Sequence, residues 1–171
     1  DIKKYKPWPK DPIMYGDDTF TLDIKKYFQK YLLPISEIQD KIDEVKKKFS
    51  DKMIGVHIRQ SDQMDWIKVN HSAIQNKISG YIQKGYKVFL ATDNPNVEKV
   101  YQKKFGESLI SFQNPFGFYL DKFENNPIGV KNSVVDLYLL AECSHIMGTK
   151  GSSFSWCAWI LSENSTFEIH S

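Results

Sequence analysis

The chain has 171 residues, long enough to bury a core without metals or disulfides and short for two full domains. Its composition, 41% hydrophobic, 14% aromatic and 26% charged, is that of a globular protein and excludes the disordered and collagenous classes. A net charge of +2 gives no overall electrostatic case for nucleic acid, and no apolar run approaches the length of a membrane span.

Residues 1–34 carry Pro7, Pro9, Pro12 and Pro34 with aromatic residues between them, the pattern of an extended arm that packs through its rings. The expected division is therefore an arm or linker over 1–34 and a single domain over 35–171. Ser36 and Gln39 have capping-box spacing, and Ile38, Ile42, Val45 and Phe49 then recur at helical intervals. Lys46, Lys47 and Lys48 close that predicted helix, where they complement its dipole and solvate one face.

From Met53 the period changes. "MIGVHI" is a short apolar run of strand length, followed by a polar loop and a helical stretch through Ile74, Ile78 and Ile82. "GYKVFLATD" reads as a second buried strand, "NPNVEKVYQKKFG" as a helix closed by Gly106, and "SLISF" as a third strand. Residues 113–131, rich in Phe, Asn, Pro and Gly, have no clean period, and a loop of that length points to a covering or docking role. The last elements are a helix in "NSVVDLYLLAEC", a strand in "SHIMGT", a helix in "SSFSWCAWILS" and a strand in "STFEIH".

Strands that are apolar throughout and alternate with helices imply an α/β fold, a doubly wound, Rossmann-like parallel sheet covered on both faces. Right-handed crossovers make 3-2-1-4-5 the natural strand order, with the topological switch between the first and fourth strands. Ligands of such sheets bind outside the carboxyl ends of the strands beside that switch. Three polar clusters fall there: His57 to Arg59, Thr92-Asp93, and Gly148 to Ser153.

Each cluster has two readings. Arg59 presents a planar fork able to bind two phosphate oxygens, or it pairs with Asp62 or Asp93. Asp93 accepts two hydrogen bonds from a guanine edge, or it caps the helix that starts near Pro95. His57 donates to a base or ribose, or it is a satisfied histidine at a strand end. In "GTKGSSFS" the small residues leading into a helix, with the hydroxyls of Ser152 and Ser153, form either a phosphate cradle or a tight serine-capped turn. Cys143 and Cys157 lack CxxC spacing and read as buried small hydrophobes, so no metal site is expected.

"IGVHIRQSD", "VFLATDNP" and "SVVDLYLLAECSHIMGTKGSSFS" resemble, in order and spacing, the three successive motifs of the fucosyltransferase superfamily, which includes α1,6-, α1,2- and protein O-fucosyltransferases. The resemblance runs from about Tyr27 to the C-terminus. It implies one lobe, the C-terminal one, of a two-lobed GT-B glycosyltransferase, with an N-terminal lobe as its missing partner. The implied reaction is inverting transfer of fucose from GDP-fucose to a hydroxyl of a glycan or protein acceptor, without a metal or any cofactor beyond the donor. Arg59 is the implied catalytic residue, gripping the pyrophosphate as charge builds on the departing GDP. His57 and Asp93 would contact the nucleoside, and Ser152, Ser153 and Phe154 would hold the phosphates.

The sequence departs from the α1,6- and α1,2-type pattern at Gln60, where those members carry a second arginine. Other branches carry a single arginine there, and a glutamine still donates a hydrogen bond. Asp62 and Asp65 are the candidate bases. A non-catalytic nucleotide-binding module, or a transferase using another nucleotide sugar, are the alternatives. The chain begins at Asp1 without a signal peptide, which points to excision from something longer. A bacterial source would place it in the cytoplasm, a eukaryotic one in the Golgi or ER lumen, and only in a lumen would the sequons at Asn70 and Asn164 matter.

Overall fold

The computed structural model describes residues 19–60, 69–112 and 127–170. Within them the elements run α1 (Thr19–Tyr31), α2 (Ser36–Lys46), β1 (Met53–Ile58), α3 (His71–Gln83), β2 (Lys87–Thr92), α4 (Pro95–Phe105), β3 (Leu109–Ser111), α5 (Pro127–Ala141), β4 (His145–Thr149), α6 (Ser153–Leu161) and β5 (Thr166–His170). The five strands form one parallel sheet in the order β3-β2-β1-β4-β5, as the crossover rule requires.

Alternation along the strands sorts side chains between two cores. Ile54, Val56 and Ile58 of β1 join Val88, Leu90 and Met147 under α3 and α4, where Ile74, Ile78, Val97 and Tyr101 meet them. Met53, Phe89, Ala91 and Ile146 face the other way, into a core closed by Ile38 and Ile42 of α2, Val135 and Leu139 of α5, and Ala158 and Ile160 of α6. All six residues of β1 are buried, and each fully buried isoleucine contributes about 2 kcal/mol of transfer free energy, so β1 is a firmly anchored platform. By the same alternation Gly55 and His57 share the face of α5 and α6.

Several local expectations change. Residues 19–31 are helical, not extended, because Ile24 and Phe28, four apart, turn one face onto the core, where Phe28 meets Trp156 edge-on. Gln29 then donates to Ser162 O at 2.9 Å. The capping box does not form: Ile35 is the N-cap of α2, and Gln39 donates instead to Asp43 Oδ1 one turn ahead. Residues 127–131, expected as part of a long loop, begin α5, whose first position tolerates a proline because no helical partner is needed there. Residues 1–18 and 113–126, and the 61–68 stretch containing Asp62 and Asp65, lie outside the described residues. Lys46 pairs with Glu142 at 2.8 Å, and burial pushes the Cys143 thiol up, consistent with an inert packing role.

Candidate functional site

The exit of β1 is clamped from both neighbouring strands. Thr149 Oγ1, from β4, donates to His57 O at 2.7 Å and accepts from Arg59 N at 3.0 Å. From the β2 side, Thr92 Oγ1 donates to Ile58 O at 2.7 Å, and Asp93 Oδ1 accepts from Gln60 N at 2.8 Å. The backbone that carries His57, Arg59 and Gln60 is thereby held by side chains of β4 and of the β2 exit.

These residues open onto a pocket of about 60 Å³ at the carboxyl ends of β1 and β2. The sheet contributes His57, Arg59, Ala91, Thr92 and Asp93 to its wall, and the covering helices contribute Ser133, Asp136 and Phe154. A wider groove of about 550 Å³ at the opposite end of the sheet is lined by Lys46, Glu142 and other residues, and none of the sequence candidates lies in it.

His57 is only 6% exposed. Its Nδ1 lies 2.6 Å from Ser155 Oγ, which also accepts from Thr149 N at 3.2 Å. With the serine hydroxyl donating to Nδ1, the imidazole proton sits on Nε2. Burial, reinforced by the nearby charges of His170 and Arg59, depresses the imidazole from 6.5 to about 3, so His57 is neutral and its Nε2–H is a hydrogen-bond donor. The Phe154 ring lies 4.8 Å from it. Gly148 makes this close approach possible: a Cβ there would stand 2.6 Å from Ser155 Cβ.

Asp136 was not singled out in the sequence, and it lines the pocket. It comes from α5, is 8% exposed, and its Oδ1 is buried without a hydrogen-bond partner among the described residues. Burial, with Glu98 adding, raises the carboxyl well above its usual range. A carboxylate stranded inside an otherwise apolar helix such as "SVVDLYLLA" is the signal that could have found it.

The two readings of Asp93 separate in part, because Asn94 caps α4, accepting from Asn96 N at 2.9 Å and Val97 N at 3.3 Å. Asp93 lines the pocket instead. Ser152 is the N-cap residue of α6, but its N–H goes to Thr149 O at 3.1 Å and its buried Oγ bonds nothing among the described residues. Ser153 is exposed at the first position of α6, and Gly151, at φ +74°, makes the turn into it. Of the six expected site residues, His57, Arg59, Asp93 and Phe154 share the pocket, whereas Ser152 and Ser153, just before Phe154 in the chain, do not line it.

No protein-family model matches the sequence, and no curated protein sequence is significantly similar to it. Solved structures do match in fold. The fucosyltransferase NodZ from Bradyrhizobium gives a TM-score of 0.52 at 23% identity over 74% of this chain and 42% of its own. POFUT1 in complex with GDP gives 0.55 at 12% identity, covering 80% of this chain and 46% of its own. A mutant of Arabidopsis thaliana FUT1 in complex with GDP gives 0.51 at 14%, covering 80% and 33%.

The chain has a fucosyltransferase-type fold. It spans less than half the length of each of these neighbours. NodZ has also been soaked with GDP-fucose, at 22% identity to this chain. Within the fucosyltransferase-type fold seen here, the described residues include no helix long and apolar enough to cross a membrane and no cluster of three metal-ligating side chains.

Proposed function

We propose that this chain is the donor-binding lobe of a GT-B glycosyltransferase that takes GDP-fucose and transfers fucose with inversion to a hydroxyl of a glycan or protein. The observation that carries the reading is that one pocket holds both Arg59 and Asp136, whose Oδ1 is buried without a hydrogen-bond partner among the described residues. Guanine presents two adjacent donors, N1–H and the N2 amino group, to one carboxylate, an edge that neither adenine nor uracil offers. Asp136 is therefore the better acceptor for the base, since Asp93 already receives Gln60 N. The neutral His57 Nε2–H is a donor for the base carbonyl or the ribose, with Phe154 as an apolar wall.

With the base at the buried end, the diphosphate reaches Arg59. In the transfer the acceptor oxygen bonds to the anomeric carbon as that carbon's bond to the β-phosphate oxygen breaks. The electron pair leaves with GDP and the acceptor proton passes to a base. A preorganised guanidinium stabilises the growing negative charge on the leaving phosphate, and the polar turn before α6, with Ser152 and Ser153, supports it. Asp62 and Asp65 stay the candidates for the base.

Calorimetry tests the reading. GDP and GDP-fucose should bind this chain at least tenfold more tightly than UDP or ADP, and Arg59→Ala should weaken GDP by about a hundredfold, the scale of losing a bidentate charge-assisted contact. Equal affinity for all nucleotides would sink the guanine assignment. Binding of GDP-fucose without transfer by the complete protein would leave a nucleotide-binding module.

A further inference from the structure

Gln60 is held from two directions. Its N–H donates to Asp93 Oδ1, and its side-chain Oε1 lies 3.0 Å from His71 Nε2 at the start of α3. The other nitrogen of His71 lies 3.1 Å from Tyr101 Oη. With Gln60 Oε1 facing the ring, a neutral His71 satisfies both neighbours. The His71 Nε2–H donates to Gln60 Oε1, and Nδ1 accepts the Tyr101 hydroxyl hydrogen. Tyr101 itself is a fixed post: its side chain is fully buried in the core under α4, and its ring meets the His71 ring edge-on at 5.9 Å. With the carbonyl end of the Gln60 amide on His71, its N–H2 end, which bonds no acceptor among the described residues, is turned away from His71.

Burial grades outward from Asp136 and His57, through the half-buried Arg59, to the exposed Gln60. A nucleotide with its base at the buried end therefore brings its last phosphate to the level of Gln60. Arg59 follows the alternation of the α5 and α6 face, whereas the Gln60 side chain meets α3. A diphosphate lying across the end of β1 is thus met from both sides of the sheet.

We propose that Gln60 is a donor-site residue whose side-chain N–H2 hydrogen-bonds the terminal phosphate of the nucleoside diphosphate gripped by Arg59, and that His71 is the positioning residue that fixes its orientation. The proposal rests on the nucleotide reading above. It gives the site a second, uncharged donor that favours diphosphate over monophosphate.

The test is calorimetry of GDP against GMP on the wild-type chain and four variants. Gln60→Ala should weaken GDP about tenfold, the effect of removing a neutral donor from a charged acceptor, and leave GMP unchanged. Gln60→Glu keeps an oxygen for His71 but exchanges the N–H2 for a negative charge, so it should weaken GDP further than Gln60→Ala. His71→Phe keeps the ring against Tyr101 and frees the amide, and should reproduce the selective GDP loss. The double variant of His71→Phe with Gln60→Ala should lose no more than Gln60→Ala alone. Gln60 is exposed, so folding is not at stake in its variants. If both Gln60 variants bind GDP like wild type, or lose GDP and GMP equally, the proposal is overturned while the nucleotide reading stands. His71→Phe without effect overturns the positioning role, and a wild-type chain that binds no GDP overturns both.

Discussion

Acidification should unfold this protein through His57. Its imidazole is depressed from 6.5 to about 3, a difference worth roughly 5 kcal/mol at about 1.4 kcal/mol per pKa unit. The folded pKa lies below the unfolded one, so this stability is fully present above pH 6.5 and is lost as the pH falls toward 3. Between pH 6.5 and 4 the loss is about 3 kcal/mol, a large part of the 5–15 kcal/mol that holds an ordinary domain together. His170 and His71, also depressed by burial, act in the same direction. Urea unfolding at half-unit pH steps measures the slope, with His57→Asn as the reference: its amide oxygen can still accept from Ser155, but it has no proton to gain. The variant should be less stable at pH 7, having lost its ring against Phe154, and should fall off more slowly toward pH 4. Parallel wild-type and variant curves would refute the reasoning, because they would mean that another group takes up the proton.

Asp136 titrates with the opposite sign. Its raised carboxyl favours the folded state at low pH and destabilises it as the pH rises through the raised value, whereas an ionised carboxylate is what a guanine edge requires. GDP affinity should therefore rise with pH and binding should release a proton, both disappearing in Asp136→Asn; calorimetry in buffers of different ionisation enthalpy reads this, and a flat wild-type profile would remove Asp136 from the base site. Gly148→Ala should cost about 1–3 kcal/mol in denaturant unfolding, since its Cβ would press 2.6 Å from Ser155 Cβ, and an unchanged midpoint would show that α6 yields freely. Thr149→Val keeps the shape but leaves His57 O with one donor fewer and Arg59 N without this acceptor. It should cost about 1–2 kcal/mol of stability and weaken GDP binding, both measurable on one preparation; wild-type values would show that the clamp is redundant.

The strand runs and their order were legible because burial on both faces leaves a contiguous apolar signature, and crossover handedness then allows few arrangements. His57 and Arg59 were legible for a related reason, as polar residues at the end of an otherwise apolar strand. What escaped depends on contacts between distant segments. α1 looked like part of an arm because the prolines on either side of it and its aromatics dominate the local pattern, while its helical face packs on Trp156 of α6. The box suggested by Ser36 and Gln39 lost to a competing bond from Gln39 to Asp43. Asp136 escaped because a carboxyl in an apolar helix has no spacing motif, although its place on the buried face with Asn132, Val135 and Leu139 was a detectable anomaly. Nothing in sequence spacing foretells that His71 reaches back eleven residues to Gln60.

The topological switch does more here than open a crevice. Because β1 has β4 on one side and β2 on the other, the exit of β1 receives a threonine from each, and those hydroxyls bond the carbonyls and the N–H around Arg59. Arg59 and Gln60 are thus oriented by the sheet before the chain enters the segment that follows. A transferase that stabilises a departing diphosphate gains most from donors that need not reorganise when charge develops. Anchoring the cation directly at the exit of the central strand meets that requirement. In the proposed reading the tasks divide by depth: Asp136 and His57 at the buried end face the base, and the exit of the strand, held by Thr149, Thr92 and Asp93, faces the diphosphate.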